Sequence, residues 1–418
     1  MNKENNYALK GVKVVELGTH VVVPTAARIM ADCGADVIKV ENLSGEEWRY
    51  IGKNLGVATT EEENAVFTNQ NSNKRFVALD LKTKEGLNAL IRLIEEADVF
   101  CTNVRLKALE KMGIDYESLK KRYPKLIYCH FTGFGYEGPD KDRPGFDMAA
   151  FWARGGALAD WANIGSFPAK PIGAFGDTAS ANFILSGVLM ALFARERNGQ
   201  GTLVSSSLFG SSIWLNSIGV ITAQDPYNVP YPSSRYKPAV PLSHIFECKG
   251  NGYIIMTIMD YDAKREMAFE MLGMEEYLDD PRFDTLVHTR ENLEEFIHIV
   301  NEKFLVKTRD EWAEIFNEKG VVYEKLMHYK EVPQDVQANA NGYLQDVTFK
   351  SGTSIKMTSY PVLFSEYDIK KIEAPGAVGR DTVDVLSEVG YDDNEICAME
   401  SAKAVGAYHE KEDIETCA

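Results

Sequence analysis

No Cys-x-x-Cys pair and no His-x-x-x-His occurs in the chain, and its six cysteines (Cys33, Cys101, Cys129, Cys248, Cys397 and Cys417) are scattered. Thiolate and imidazole metal sites depend on such spacings, so no metal centre is expected. Most of the cysteines fall in apolar segments, as reduced core residues would. No Gly-x-Gly-x-x-Gly follows the first strand, which leaves a dinucleotide site without support. Basic residues are in short supply: 45 Lys and Arg against 62 Asp and Glu give a formal charge of −17. That balance argues against a nucleic-acid surface but leaves room for a local basic pocket around one anionic ligand. No run approaches the ~18 apolar residues of a membrane span, and the best candidate, Phe183–Phe193, holds Ser186 and Gly187. Met1–Tyr7 carries no apolar signal region, so a cytoplasmic location without membrane partners is the expectation.

What is present is a globular composition: 418 residues, 45% hydrophobic and 26% charged, enough for two or three domains with sizeable cores. Gly11–Leu17 reads as a buried strand continuing through His20 towards Val23. Pro24 opens a helix with Ala26, Ile29, Met30 and Cys33 at helical spacing, Gly34 stops it, and Val37–Val40 forms a second strand. This βαβ unit implies a parallel pair with a right-handed crossover. The alternation continues through a helix at Leu87–Ile94, a strand at Val99–Cys101, a helix at Tyr116–Arg122 and a strand at Leu126–Phe131, which predicts a doubly wound α/β domain. The segment Ala181–Arg195 is a helix apolar almost all round, expected to be buried on all faces in a domain centre or a subunit interface.

A Pro- and Tyr-rich stretch over 223–242 reads as a linker, ending the first part at 222. Beyond it His244–Cys248 and Tyr253–Met259 flank a hairpin turn, and charged helices follow near 261–272, 290–304 and 309–318. The last of these starts with a capping box, Thr308 and Glu311. Residues 243–335 thus form a smaller α+β module, and 336–418 carries two short strands around Lys350–Gly352 and a helix at Thr382–Glu388.

Chemistry is concentrated in Gly173–Phe183, where Asp177 is the one carboxylate among small residues and Gly176 frees the backbone beside it. A Gly-Asp before a helix serves as an N-cap or as a nucleophile, and this segment alone does not decide. His20, at the end of the first strand, lies where open α/β sheets bind ligands, or is a structural histidine.

A set of short motifs then appears in order: Leu9–Val14, Gly34–Glu41, Asn71–Arg75, Asn103–Arg105 leading to Leu109 and Met112–Gly113, and Thr132–Gly135 before Gly138–Pro139. Pro144–Asp147, Gly155–Gly156, Gly176–Asp177 and Val378–Tyr391 complete it. Together they resemble the class III CoA-transferases, the formyl-CoA and carnitine CoA-transferase family. The resemblance implies a large Rossmann-like domain built from both chain ends, a small domain between, and two subunits interlocked as a homodimer. It implies that Asp177 attacks an acyl-CoA thioester, giving an aspartyl anhydride and then an aspartyl-CoA thioester, with backbone N–H groups nearby holding the oxyanions. Coenzyme A is then a substrate rather than a resident cofactor. Family position places His20, Val21, Lys82, Asn103, Arg105 and Lys111 along it, although Arg105 and Lys111 also fit a solvated helix face. Asp147 is a possible second carboxylate or a local N-cap.

Two departures shape the substrate expectation. Asn42 stands where formyl-CoA transferase has an arginine, and 232–246 lacks that enzyme's glycine-rich lid. The chain is more similar to the branch acting on 2-hydroxy acids in amino-acid fermentation, with 2-hydroxyisocaproate or phenyllactate as acceptor and Phe146, Phe151, Trp152 and Trp161 as an apolar acyl pocket or as ordinary core. The alternatives are a formyl-CoA/oxalate or carnitine-type transferase, or an α-methylacyl-CoA racemase. The racemase branch carries a proton-transferring His in a Gly-His-Asp motif where this chain has Gly145–Phe146–Asp147, and phenylalanine moves no proton.

Overall fold

The computed structural model describes residues 6–409. Six parallel strands make the main sheet: β1 (Lys13–Leu17), β2 (Asp36–Glu41), β3 (Arg75–Leu79), β4 (Val99–Thr102), β5 (Ile127–Thr132) and β6 (Leu203–Ser207). Their spatial order is 3-2-1-4-5-6, the doubly wound arrangement, with Val405–Gly406 added antiparallel to β3 at the edge. β1 to β5 are Val-, Ile- and Phe-rich and largely buried because helices cover both sides, whereas the edge strand β6 is Ser-rich and only partly buried. Leu90, Leu93, Ile94, Leu109 and Leu119 from the crossover helices join Val385 and Leu386 of the C-terminal part in one core. Both chain ends therefore build the same sheet domain.

The chain divides into two compact units. The larger comprises residues up to Ala157, Pro171–Val220 and everything from Val336. The smaller comprises Leu158–Lys170 and Ile221–Asp335. Two features differ from the sequence-based boundaries: 158–170 leaves the large unit, and the 223–242 stretch belongs to the small one. Within the small unit the hairpin β7 (Ser243–Cys248) and β8 (Gly252–Thr257) gains a third antiparallel strand, β9 (Val322–Lys325). Its core is aromatic, with Phe246 stacked on Phe304 at 4.2 Å and Trp312 against Phe316 at 5.7 Å. The expected capping box at Thr308 and Glu311 is present.

The apolar helix spans Phe175–Asn198 and differs from expectation. One face, Gly176, Ser180, Ala181, Ile184, Leu185, Val188 and Ala191, is buried against the helix Val22–Asp32 and the sheet. The opposite face is open, with Met190 67% and Phe193 61% exposed. By length and composition alone the helix could cross a membrane, at a mean hydropathy of 1.4. Its buried face and the ion pair of Arg195 with Asp98 at 2.8 Å tie it to the sheet domain. Cys33, Cys101, Cys129 and Cys248 are buried free thiols and Cys397 is disulfide-bonded, while Cys417 lies outside the described residues.

Candidate active site

A cavity of about 560 Å³ opens at the C-terminal ends of β1, β4 and β5, where the strand order reverses. It is lined by the turns that follow those strands, by the loop from Lys141 to Phe146, and by Asp177. All of these lie in the larger unit.

β1 stops at Leu17, short of the predicted extension, and His20 sits in the turn with φ 63°. A non-glycine residue adopts that left-handed conformation only where its surroundings hold it. Here the holder is a buried lattice of charges. The backbone N–H of His20 donates to Glu46 Oε2 at 2.7 Å, while Glu46 Oε1 pairs with Lys39 Nζ at 2.7 Å. Lys39 also pairs with Glu16 at 2.7 Å and donates to the Gly18 carbonyl at 2.9 Å. Lys74 pairs with the other oxygen of Glu16 at 2.7 Å and donates to the Pro24 carbonyl at 2.9 Å. Burial pulls Lys74 down to about 8, against the pull of Glu16. Asn103 adds a two-point clasp across to β4, accepting from Thr19 N–H at 3.1 Å and donating to Thr19 O at 2.9 Å.

Asp177 occupies the third position of the helix Phe175–Asn198, not its N-cap, which is Ala174. The cap comes from elsewhere in the chain. Asp147, first residue of a π-helical turn Asp147–Ala153, accepts the Asp177 backbone N–H on Oδ1 at 3.0 Å. Of the two sequence readings of Asp147, the local cap is thus replaced by a cap on the helix that carries Asp177. The approach requires Gly176, since a Cβ there would lie 2.3 Å from Asp147 Oδ1 and 2.4 Å from the Phe151 ring. Burial, reinforced by the charge of Asp147, raises the Asp177 carboxyl to about 7. Burial likewise raises Asp147, opposed by the backbone N–H of Asp177. Of the backbone N–H groups beside the carboxylate, that of Asp177 itself is held by Asp147 and that of Thr178 by the Ala174 carbonyl at 2.9 Å.

Among the predicted ligand residues, His20, Val21, Asn103 and Arg105 line the cavity. Lys82 and Lys111 do not. Both are exposed, one in the turn after β3 and the other in the last turn of the helix Leu106–Met112. Sequence reading missed Lys107, Lys141 and Arg143, which join Arg105 on the lining. Lys107 is paired with Asp142 at 2.8 Å. Arg105 and Lys141 form no ion pair among the described residues. The signal available was the Lys141-Asp-Arg143 run just before Pro144–Asp147. The aromatic set also separates. Phe146 lines the cavity with its ring 5.7 Å from His20, edge to face. Phe151 and Trp152 are core, and Trp161, 66% exposed in the smaller unit, is neither. No cluster of ligands for a metal ion occurs among the described residues.

The model of CoA-transferase family III matches residues 9–382. The chain is 36% identical over 397 residues to (R)-2-hydroxy-4-methylpentanoate CoA-transferase of Clostridioides difficile, covering 95% of this chain and 99% of that one. It is 33% identical over 411 residues to cinnamoyl-CoA:phenyllactate CoA-transferase of Clostridium sporogenes, covering 98% and 100%. Its fold matches the crystal structure of a CAIB/BAIF family protein from Brucella suis with a TM-score of 0.81 at 28% identity, over 92% of this chain and all of that one. The chain is an enzyme belonging to CoA-transferase family III.

Proposed function

We propose that the protein moves CoA from an acyl- or enoyl-CoA to a 2-hydroxy acid such as 2-hydroxyisocaproate or phenyllactate, with Asp177 as the covalent relay. The observation that carries this is one carboxylate of raised pKa, about 7, in a cavity whose lining also holds Arg105, Lys107, Lys141 and Arg143. Four cations at one cavity of a chain with net charge −17 suit a polyanionic ligand such as the diphosphate of CoA. His20, Val21 and Asn103 complete the proposed ligand surface. The similarity to two relatives named for hydroxy-acid acceptors supports the substrate class.

Ionised Asp177 attacks the thioester carbonyl, and the CoA thiolate leaves, giving a mixed anhydride. The thiolate then attacks the Asp177 acyl carbon, expels the donor carboxylate and forms an aspartyl-CoA thioester. The incoming carboxylate repeats the two steps in reverse, so Asp177 returns unchanged and no ATP is consumed. Partial burial removes water from the nucleophile, which strengthens it and protects the anhydride from hydrolysis. The test is CoA exchange followed by mass spectrometry, with acetyl-, isocaproyl- and aryl-acrylyl-CoA as donors and 2-hydroxy acids, oxalate and carnitine as acceptors. The expected result is a 2-hydroxyacyl-CoA formed by wild type, with a CoA adduct on the Asp177 peptide, and a loss above ~10³-fold in Asp177→Ala. A fully active Asp177→Ala protein defeats the relay, and exchange with oxalate or carnitine alone defeats the substrate class.

A further inference from the structure

The cavity contains a second polar device that the transfer chemistry leaves unused. His130, in β5, and Tyr136, in the turn beyond it, both line the cavity, as does Asp177. Their rings meet edge to face at 5.2 Å. Nε2 of His130 lies 2.8 Å from the Val104 carbonyl oxygen, a group that only accepts, so Nε2 carries the proton. Burial holds His130 below its ordinary pKa and keeps the ring neutral, which leaves Nδ1 a bare acceptor. Tyr136 is hydrogen-bonded to that Nδ1, and its hydroxyl is therefore the donor. Burial raises the phenol, so the proton stays on it. With its one proton committed to His130, the Tyr136 oxygen has only lone pairs left to offer.

We propose that Tyr136, oriented by His130, is a specificity-determining acceptor that reads a neutral hydrogen-bond donor on the bound ligand. The inference rests on the CoA-transfer reading. Two parts of the reacting pair carry such a donor: the 2-hydroxyl of the acceptor acid and the amide N–H groups of the pantetheine arm. A group offering only lone pairs, such as a carboxylate or keto oxygen, is disfavoured at this point. His130 acts through Tyr136 and is a positioning residue.

Tyr136→Phe keeps the ring and the His130–Val104 bond and removes the oxygen. One arm measures CoA affinity by calorimetry in an Asp177→Ala background, with and without Tyr136→Phe. The other compares kcat/KM for a 2-hydroxy acid with that for its 2-deoxy counterpart, using phenyllactate with 3-phenylpropionate and 2-hydroxyisocaproate with isocaproate. A loss of roughly three- to tenfold is expected in one arm, and which arm responds names the donor. In the responding arm His130→Leu leaves the phenol its lone pairs but frees its proton to face the ligand, so a smaller loss than with Tyr136→Phe is expected, together with weaker discrimination against a 2-keto acid, which offers only lone pairs. Changes below twofold in both arms with Tyr136→Phe overturn the proposal. The calorimetric arm needs no turnover, so a wild type without exchange activity sinks the transfer reading separately.

Discussion

Asp177 has to be ionised to attack and is held near neutrality, with burial as the larger cause and Asp147 as the second. The sign follows directly. A carboxylate that must be deprotonated gives a kcat/KM that rises with pH and levels off above the group's pKa, here about 7. Asp147→Asn preserves an oxygen to accept the Asp177 N–H while deleting the negative charge beside it. The acidic limb of the profile is then expected to move to lower pH, by about half a unit to one unit, with maximal kcat changed less than ~10-fold. Stopped-time assays of CoA exchange from pH 5 to 9 check it. An unmoved limb means that Asp147 does not act on Asp177 through charge.

At the scale of elements, the site depends on three segments meeting: the turn after β1, the π-helical turn at Asp147 and the N-terminus of the Phe175–Asn198 helix. Gly176 is where the last two touch. Gly176→Ala forces apart the Asp147 carboxylate and the Phe151 ring, and a loss of about 1–3 kcal/mol in unfolding free energy is expected from overpacking. Exchange activity is expected to fall further than stability, because the displaced cap is also the neighbour of Asp177. Chemical denaturation alongside kcat measures both, and an alanine variant with native stability and rate removes the close-approach argument.

The same elements show what was legible in the sequence. The βαβ start was readable because Val14, Val15 and Leu17 are apolar and buried in a run broken only by Glu16, and Gly34 ends the helix in a left-handed turn. The helix over Ala181–Arg195 was readable from its apolar composition, but its start at Phe175, which takes in Asp177, was not. The His20 turn was not, since its conformation is imposed by Glu46, 26 residues further on, through a hydrogen bond that no local pattern encodes. Asp147 was similarly opaque: its partner is 30 residues away. Short β3 was missed because Arg75–Leu79 opens on a charged residue whose guanidinium is taken up by Asp36 and Glu388. Lys82 and Lys111 were placed by family position, which fixes the backbone segment, and in this fold both side chains are exposed and off the cavity lining.

At the scale of the whole molecule, the single chain leaves large apolar side chains exposed. Met190 and Phe193 on the Phe175–Asn198 helix are joined in exposure by Trp214 at 70% and Ile218 at 77%, all four in the larger unit. Isolated exposed apolar residues are ordinary, but large side chains repeated along one helix and the segment after β6 are the kind of surface that a partner covers. The sequence expectation of a helix buried on all faces is met in one chain on one face only, and a second copy of the chain is the partner we propose for the other. An obligate interface of this kind buries upwards of ~2,000 Å² and persists at low concentration. Light scattering after gel filtration is expected to give twice the chain mass at micromolar protein. Met190→Arg combined with Phe193→Arg is expected to weaken association by at least ~100-fold, since two charges would have to be desolvated in the interface. Circular dichroism of the variant separates dissociation from unfolding. A wild type that runs as a monomer across the concentration range would show that this apolar face serves something other than self-association.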